Sequence, residues 1–277
     1  MKITVLVENT AINDNFEAEH GLSLFIQHHD RKILLDAGST DLFAKNAQKL
    51  GIDLDQVDYA VLSHGHYDHS GGFEKFFEIN KHAKCYAHMG MDGEFYSSKG
   101  GMHYIGVPEN VLRMEGRFKM ARGLTPIDDG VYLLPHSTPD LTAIAEKAGL
   151  YRKVNGEFIL DDFSHEQSLV IETSQGLVVF NSCSHSGAGA IIDEAKRAFG
   201  KNVYAYFGGL HMKGRKNGID TCTFSSDQLD ELADKIKAEN VMHVFTGHCT
   251  GLPGLAELEK RLPGIVEPLA TGKIIEI

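Results

Sequence analysis

Apolar and polar residues alternate through the first sixty positions, a pattern typical of half-buried strands. The last of these runs is mostly apolar and predicts a buried strand. One stretch has apolar residues three and four apart, which favours a helix, and Gly51 after it is a good C-terminal cap. The predicted elements are strands over 2–8, 21–27, 32–35 and 57–62 and a helix over 41–50.

The second half of the chain switches between the same two periods. Residues 168–172 and 177–181 are strand-like, and the Thr-Ser-Gln-Gly between them indicates a hairpin. Apolar residues on one face predict a helix over 188–199. The other predicted elements are strands over 202–207, 241–245 and 273–277 and helices over 227–238 and 255–262.

Residues 89–135 follow a predicted strand over 84–88, are rich in Gly and Met, and lack a clean period. Long segments of this kind are often lids or binding loops, so we expect loops over the site rather than a separate domain. Four side chains in the segment would meet either an anionic substrate or ordinary solvent. They are Lys99, His103, Tyr104 and Arg113.

Three imidazoles and one carboxylate fall within six positions of residues 63–72, which we call the metal loop. Imidazole nitrogen and carboxylate oxygen suit zinc and neighbouring divalent metals. His64 and His66, two residues apart on an extended tip, would chelate one ion. Asp68 and His69 would face a second ion about 3.5–4 Å away. The apolar spacing that follows predicts a helix with Ser70 as its N-cap.

Three later strands each end in a histidine with small neighbours, at His185, His211 and His248. Strand ends on one edge of a sheet converge on a common cleft, and small residues let backbone and solvent approach a ligand. We therefore predict His185 and His248 as further metal ligands. His211 either ligates as well or donates a hydrogen bond to substrate or to a developing oxyanion. Asp68 and His211 are the predicted catalytic groups.

Composition limits the class of partner. The 277 residues are 42% hydrophobic, enough for one large domain or two small ones. A formal charge of −11 disfavours nucleic acid, and no stretch is long enough to span a bilayer, so we expect no membrane partner. Four cysteines without C-x-x-C pairing and an N-terminus without a secretory signal pattern predict a cytoplasmic protein. The expected partner is a small-molecule substrate, and the sequence is compatible with a homo-oligomer.

Residues 64–69, followed by Gly71 and Gly72, resemble the signature of the metallo-β-lactamase-fold superfamily. Four further motifs resemble one branch of it, which includes the archaeal dihydropterin-methyl–ribofuranosylaminobenzene-phosphate synthase of methanopterin assembly. These motifs lie at residues 19–23, 183–187, 208–211 and 247–251. The resemblance implies an α/β (α+β) fold, a four-layer αββα sandwich of mixed sheets with helices on the outer faces, as a single domain over 1–277.

The resemblance also implies roles for residues outside the metal loop. Asp36, in Asp-Ala-Gly, is expected to orient the metal loop rather than to ligate. His165 precedes a strand where the superfamily often has another ligand, and is otherwise a surface residue at a strand start. The usual bridging Asp is absent from the matching strand end, where Cys183 or His185 would replace it unless Cys183 is a buried structural residue. His20, in the first branch motif, is a further candidate for contact with the ions or their ligands.

The predicted cofactor is one or two divalent ions, zinc first, with manganese, iron and magnesium as alternatives. The predicted function is a metal-dependent hydrolase in which metal-bound hydroxide attacks an ester, thioester, lactone or phosphoester of a small molecule. The branch resemblance implies a transferase instead, which would condense a pterin-methyl diphosphate with an arylamine ribofuranosyl phosphate. A non-catalytic metal-binding protein is the third reading, because a fold alone does not establish chemistry.

Overall fold

The computed structural model describes residues 1–114 and 116–277. Over these residues the strands are β1 (Lys2–Val7), β2 (Ser23–His28), β3 (Arg31–Leu35), β4 (Tyr59–Val61), β5 (Lys84–His88), β6 (Glu94–Ser97), β7 (His103–Tyr104), β8 (Phe118–Ala121), β9 (Thr125–Asp128), β10 (Val131–Pro135), β11 (Leu150–Val154), β12 (Glu157–Leu160), β13 (Gln167–Thr173), β14 (Gly176–Phe180), β15 (Val203–Phe207), β16 (Lys213–Lys216), β17 (Ile219–Cys222), β18 (His243–Thr246), β19 (Val266–Pro268) and β20 (Ile274–Glu276).

The α-helices in the same residues are α1 (Leu42–Lys49), α2 (Tyr67–Ser70), α3 (Phe73–Ile79), α4 (Glu109–Leu112), α5 (Thr142–Ala148), α6 (Ala188–Phe199), α7 (Ser226–Ala238) and α8 (Gly251–Arg261). Two one-turn 3₁₀ helices, Leu54–Gln56 and His248–Thr250, complete the set. None of these helices combines the length and apolarity that crossing a membrane requires.

The described chain divides into two compact units. Unit 1 comprises Met1–Arg122, Pro139–Glu166 and Ala270–Ile277, and unit 2 comprises Gly123–Thr138 and Gln167–Leu269. The prediction of a single domain stays a prediction.

The main sheet of unit 1 has the strand order β20-β1-β2-β3-β4-β5-β8. Strands β20, β1, β2 and β3 pair antiparallel, whereas β3, β4, β5 and β8 run parallel. Parallel neighbours need crossover connections, which α1 and α3 supply. The carboxyl ends of β3 and β4 therefore meet at one edge of the sheet, where Asp36 and the metal loop follow them.

The core of unit 1 lies between one face of this sheet and its helices. Phe43 of α1 and Phe73 and Phe76 of α3 are fully buried there. Their apolar spacing is what makes α1 and α3 amphipathic. Burial on this scale holds the crossover helices, and with them the metal loop between β4 and α3, against the sheet.

A second sheet of unit 1 has the order β12-β11-β6-β7 and packs against α5 around Phe95 and Phe163. Strand β6 lies in residues 89–135, which the sequence predicted as loops, and so do β7, β8, β9, β10 and α4. That prediction was wrong because these strands are short, two to five residues, and carry too few alternations to stand out from Gly-rich turns.

Unit 2 is built on a sheet of order β19-β18-β15-β14-β13-β10-β9. Strands β14, β15, β18 and β19 run parallel, so the loops after β14, β15 and β18 leave the same edge. These are the loops that carry His185, His211 and His248. The helices α6, α7 and α8 bury their apolar faces with one face of the sheet, and Ser225 with Gln228 forms a capping box at the start of α7.

The predicted helix after the metal loop begins differently from expectation. Ser70 is the last residue of α2 and lies buried with its hydroxyl donating to the His66 carbonyl oxygen at 2.8 Å. The N-cap of α3 is Gly72. The Ser70 prediction was wrong because the loop already turns into a helix at Tyr67, so the serine bonds back into that turn instead of capping the next one.

Candidate metal centre

Asp36 organises the metal loop from the end of β3. Its Oδ1 accepts a hydrogen bond from the Ser63 backbone N–H at 2.8 Å. Its Oδ2 accepts from the Ser63 hydroxyl at 2.7 Å and from His69 Nδ1 at 2.8 Å. The carboxyl group is fully buried, with 0% of its side-chain surface exposed. Three bonds to one buried carboxylate hold the start and the end of the metal loop in one geometry.

These bonds determine which nitrogen of each imidazole faces outward. A carboxylate only accepts, so His69 Nδ1 must carry the proton, and the lone pair of the neutral ring is on Nε2. The Ser63 hydroxyl donates its single proton to Asp36, so it accepts from His64 Nδ1, 2.8 Å away. His64 therefore also has its lone pair on Nε2. Both rings are in the tautomer that a metal ligand needs.

The backbone of the metal loop approaches the 37–40 segment closely. The Gly72 N–H donates to the Gly38 carbonyl oxygen at 3.2 Å, and the Ala37 N–H donates to the His69 carbonyl oxygen at 2.8 Å. A Cβ on Gly72 would overlap the Ala37 carbonyl oxygen. The glycines after the signature are thus required by packing, since Gly72 has ordinary helical dihedral angles.

The four side chains of the metal loop that the sequence predicts as ligands lie close together. The His64 ring centroid lies 4.6 Å from that of His66 and 4.2 Å from that of His69, and Asp68 Oδ2 lies 3.7 Å from His69 Nε2. All four side chains are buried. Rings predicted to serve different ions are therefore as close as rings predicted to share one. His20, half-exposed, places Nε2 3.2 Å from Asp68 Oδ2 at the rim.

His165 is brought beside the metal loop by the turn before β13. Its Nδ1 accepts from the Gly65 N–H at 2.9 Å, and its Nε2 lies 3.2 Å from Asp161 Oδ2. It is 1% exposed, which overturns the reading as a surface residue. Burial alone would raise the pKa of Asp161, but the interactions with His165 and His66 outweigh it and lower the pKa to about 2. Sequence reasoning missed Asp161, although its place at the end of β12 was a usable signal.

In unit 2 the three predicted strand-end loops converge. The ring centroids of His185 and His211 are 4.7 Å apart. Ser184 Oγ donates to the Gly209 carbonyl oxygen at 2.6 Å, and the Leu210 N–H donates to Thr250 Oγ1 at 2.8 Å. The loops after β14, β15 and β18 are therefore bonded to one another, as the parallel strand order requires.

Cys249, next to His248, is a residue that sequence reasoning did not single out. Its Sγ accepts from the His211 backbone N–H at 3.3 Å and lies 3.6 Å from the Cys183 carbonyl oxygen. Burial would raise the pKa of this thiol, but contacts with the side chains of Cys183 and His211 and the charge of the neighbouring histidines hold it well below its usual value. The branch motif Gly-His-Cys-Thr-Gly was the signal. A cysteine sulfur here adds a soft donor to unit 2.

The side chains predicted to meet an anionic substrate do not form one group. Arg113 pairs with Glu109 along α4 at 2.5 Å. Tyr104 donates from its hydroxyl to the Val107 carbonyl oxygen at 2.9 Å, and His103 is exposed on β7 with Nδ1 2.8 Å from the Gly101 carbonyl oxygen. Their role toward a substrate stays a prediction, as does that of Lys99.

This fold and this donor set define a class of protein. A model of the metallo-β-lactamase superfamily matches residues 17–149, which include Asp36 and the whole metal loop. Residues 17–149 are thus similar in sequence to the metallo-β-lactamase superfamily, and the whole chain is similar in fold to Tm1679, a hydrolase of the β-lactamase superfamily. The resemblance and the fold class predicted from the sequence are thereby confirmed, and the superfamily fold implies binding of divalent metal.

Two relatives are similar over the whole chain. The 7,8-dihydropterin-6-methyl-4-(β-D-ribofuranosyl)-aminobenzene-5′-phosphate synthase of Methanocaldococcus jannaschii is 29% identical, covering 100% of this chain and 96% of the synthase. Tm1679, a metal-dependent hydrolase of the β-lactamase superfamily, is 28% identical with a TM-score of 0.82, covering 100% and 99% of the two chains. Zn²⁺-bound PqqB from Methylobacterium extorquens shares the fold alone, at 12% identity and a TM-score of 0.60 over 100% of each chain. These relatives indicate an enzyme.

Proposed function

We propose that the protein is a metal-dependent hydrolase of a small-molecule ester, thioester, lactone or phosphoester. The observation that carries the proposal is the proton arrangement of the metal loop. Asp36 and Ser63 hold His64 and His69 with a proton on Nδ1, so that Nε2 is the ring nitrogen left to face an ion. Such buried, pre-oriented imidazoles are the donors that hydrolytic metal sites use.

The proposed ligands are the side chains of the metal loop together with His185 and His248 of unit 2. A bound divalent ion supplies Lewis acidity, which activates water and polarises the scissile bond at neutral pH. We propose that Asp68, which lies within hydrogen-bond reach of His20 at the rim, would orient a water. We propose that His211, whose ring lies beside His185, would donate a hydrogen bond to the oxygen that gains charge.

The donor set bears on the metal. Imidazoles dominate the metal loop, and Cys249 adds a sulfur donor with a lowered thiol pKa among the loops of unit 2. Nitrogen and sulfur donors favour zinc, with iron and manganese next, over magnesium, which prefers oxygen. We infer zinc as the resident ion and a cytoplasmic setting, where free thiols stay reduced.

A second candidate function is the transferase reaction, and one observation favours it. The full-length similarity to the Methanocaldococcus jannaschii synthase is as high as that to Tm1679, 29% against 28% identity. In that case the same side chains would hold a metal beside a pterin-methyl diphosphate, and an arylamine rather than water would attack. Release of diphosphate that requires both organic substrates would identify this reaction.

The test of the hydrolase uses metal-stripped protein reloaded with Zn²⁺ or Mn²⁺ and a panel of p-nitrophenyl esters and bis(p-nitrophenyl) phosphate. We expect turnover to disappear on chelation, to return with metal, and to fall by a factor of 100 or more in His69→Ala, on the order expected for loss of a ligand. His82→Ala changes an exposed histidine outside the site and is the matched control. Turnover that persists after chelation, or equally in His69→Ala, would refute the proposal.

A further inference from the structure

Gly65 separates His64 from His66, so its peptide unit sets the spacing between two proposed ligands. Its N–H does not point to solvent but donates to His165 Nδ1 at 2.9 Å, across 100 positions of sequence. Gly65 is also closely packed, because a Cβ on it would overlap the Met91 carbonyl oxygen and the Phe95 ring. The bond to His165 is thus the polar contact that fixes this peptide.

The two hydrogen-bond partners of His165 determine which of its ring nitrogens carries the proton. Because Nδ1 accepts from Gly65, its lone pair is used, and in the neutral ring the proton is on Nε2. Asp161 Oδ2, 3.2 Å from Nε2, accepts that proton, while Oδ1 accepts from the Phe163 N–H at 2.9 Å. Asp161 therefore selects the one tautomer of His165 that can hold Gly65.

Packing locks the arrangement. The Phe95 ring centroid lies 4.0 Å from that of His165, and the side chains of His165 and Asp161 are each 1% exposed. A buried imidazole packed against an aromatic ring cannot turn over without losing both hydrogen bonds, which would leave buried polar groups unsatisfied.

A metal ion is the competing explanation for the same residues. The donor atoms of His66, Asp161 and His165 lie within 4.8 Å of one another, close enough to surround an ion. Ligation by His165 would need a lone pair on the nitrogen that faces the ion. Its only lone pair already accepts from Gly65, so ligation would break that bond and move the proton away from Asp161.

We propose that His165 is a positioning residue rather than a ligand, and that the Asp161–His165–Gly65 chain sets the distance between His64 and His66. The proposal rests on the proposed function only in taking His64 and His66 as ligands. The proposal predicts that metal affinity depends on which ring nitrogen of His165, Nδ1 or Nε2, a substitution removes.

Two substitutions separate the two ends of the ring. In His165→Asn the side-chain oxygen occupies the Nδ1 position and still accepts from Gly65. In His165→Gln the amide reaches the Nε2 position, keeps the contact with Asp161 and loses the one with Gly65. We expect the Zn²⁺ affinity of His165→Asn, measured by competition with a chromophoric chelator, to stay within about threefold of wild type. The affinity of His165→Gln should fall by about 10–100-fold, the usual effect of losing a supporting partner.

The visible spectrum of Co²⁺-loaded protein distinguishes a positioning residue from a metal ligand. A positioning residue leaves the visible spectrum of the Co²⁺-loaded His165→Asn variant like that of wild type. If both variants lost Zn²⁺ affinity equally and the Co²⁺ spectrum changed, His165 would be a ligand and the proposal would be overturned. Unchanged Zn²⁺ affinity in both variants would also overturn it, because His165 would then have no effect on the metal.

The metal-free wild type gives a readout that does not depend on activity or on variants folding. Nitrogen NMR of the His165 ring should show a proton on Nε2, and the Gly65 amide should exchange slowly with solvent. A proton on Nδ1 would overturn the proposal even if the hydrolase assay succeeded. Failure of the hydrolase assay would leave both NMR results unchanged, so the two proposals fail separately.

Discussion

Replacing Asp36 by Asn is the sharpest test of how the metal loop is held. The change preserves shape, and Asn tolerates the left-handed backbone found at this position, where φ is 56°. What changes is the hydrogen-bond capacity. Asp36 accepts three bonds from Ser63 and His69, all through buried atoms. An amide has one oxygen, so its NH₂ group faces either the Ser63 backbone N–H, at the Oδ1 position, or the Ser63 hydroxyl and His69 Nδ1 together, at the Oδ2 position.

The expected loss of metal affinity depends on how the His69 ring responds to the amide. If the NH₂ group faces His69, Nδ1 must accept, the ring proton moves to Nε2, and the lone pair no longer points outward. If it faces Ser63 instead, a buried backbone N–H loses its acceptor. Losing a hydrogen bond to a buried charge costs about 1.5–3 kcal/mol. At about 1.4 kcal/mol per tenfold, this corresponds to a 10–100-fold weaker metal affinity.

The assay is competition for Zn²⁺ against a chelator of known affinity, with urea unfolding of the metal-free protein alongside. Asp41→Asn is the control, since it makes the same change to a partly exposed carboxylate that pairs with Lys45 at 2.9 Å. We expect the control to bind Zn²⁺ as the wild type does. If Asp36→Asn bound Zn²⁺ within about twofold of wild type, the tautomer argument for His64 and His69 would be wrong.

Three further predictions concern other parts of the structure. The pKa of Asp161 is lowered from 3.8 to about 2, which contributes roughly 2 kcal/mol to the free energy of unfolding. This contribution is fully present above pH 3.8 and is lost as the pH falls through about 2. Urea unfolding of Asp161→Asn should therefore show lower stability than wild type at pH 7 and a smaller loss of stability in acid. Cys249→Ser should remove the thiolate absorbance at 240 nm of the metal-free protein near neutral pH, whereas the control Cys222→Ser should keep it. Absorbance that remains in Cys249→Ser would contradict the lowered thiol pKa. Gly72→Ala should destabilise the protein by about 3 kcal/mol or more, because the new Cβ overlaps a carbonyl oxygen. Gly189→Ala in α6 should stabilise it by about 0.5–1 kcal/mol, because the new Cβ meets only the Lys235 side chain, at 3.6 Å. Equal unfolding midpoints for the two variants would refute the packing argument.

The sequence predicted about half of the elements, those whose periodicity is local and long enough to recognise. Helix α6 and strand β5 have the predicted boundaries, and the hairpin of β13 and β14 lies where the Thr-Ser-Gln-Gly turn indicated. Failures came where elements are too short to show a period, as in the strand β6, or where two helical turns abut, as at Ser70. Neighbouring residues alone could not decide these cases.

For the metal centre, the amino-acid sequence by itself determined the chemical types and their positions at strand ends. Six positions contain His64, His66, Asp68 and His69, and a strand pattern before them is enough to place them on a sheet edge. The pattern of strands that end in a histidine likewise identified His185 and His248 as candidate ligands. Such information is local, since spacing along a strand-to-helix loop depends only on neighbouring residues.

Only the tertiary structure decided how those groups are protonated and supported. The acceptor that orients His69 is Asp36, 33 positions away, and the acceptor of the Gly65 N–H is His165, 100 positions away. Hydrogen-bond direction depends on which donor and acceptor meet after folding, and a one-dimensional pattern does not specify that meeting. The low thiol pKa of Cys249 has the same origin, because its causes lie on two other loops of unit 2 as well as on its own.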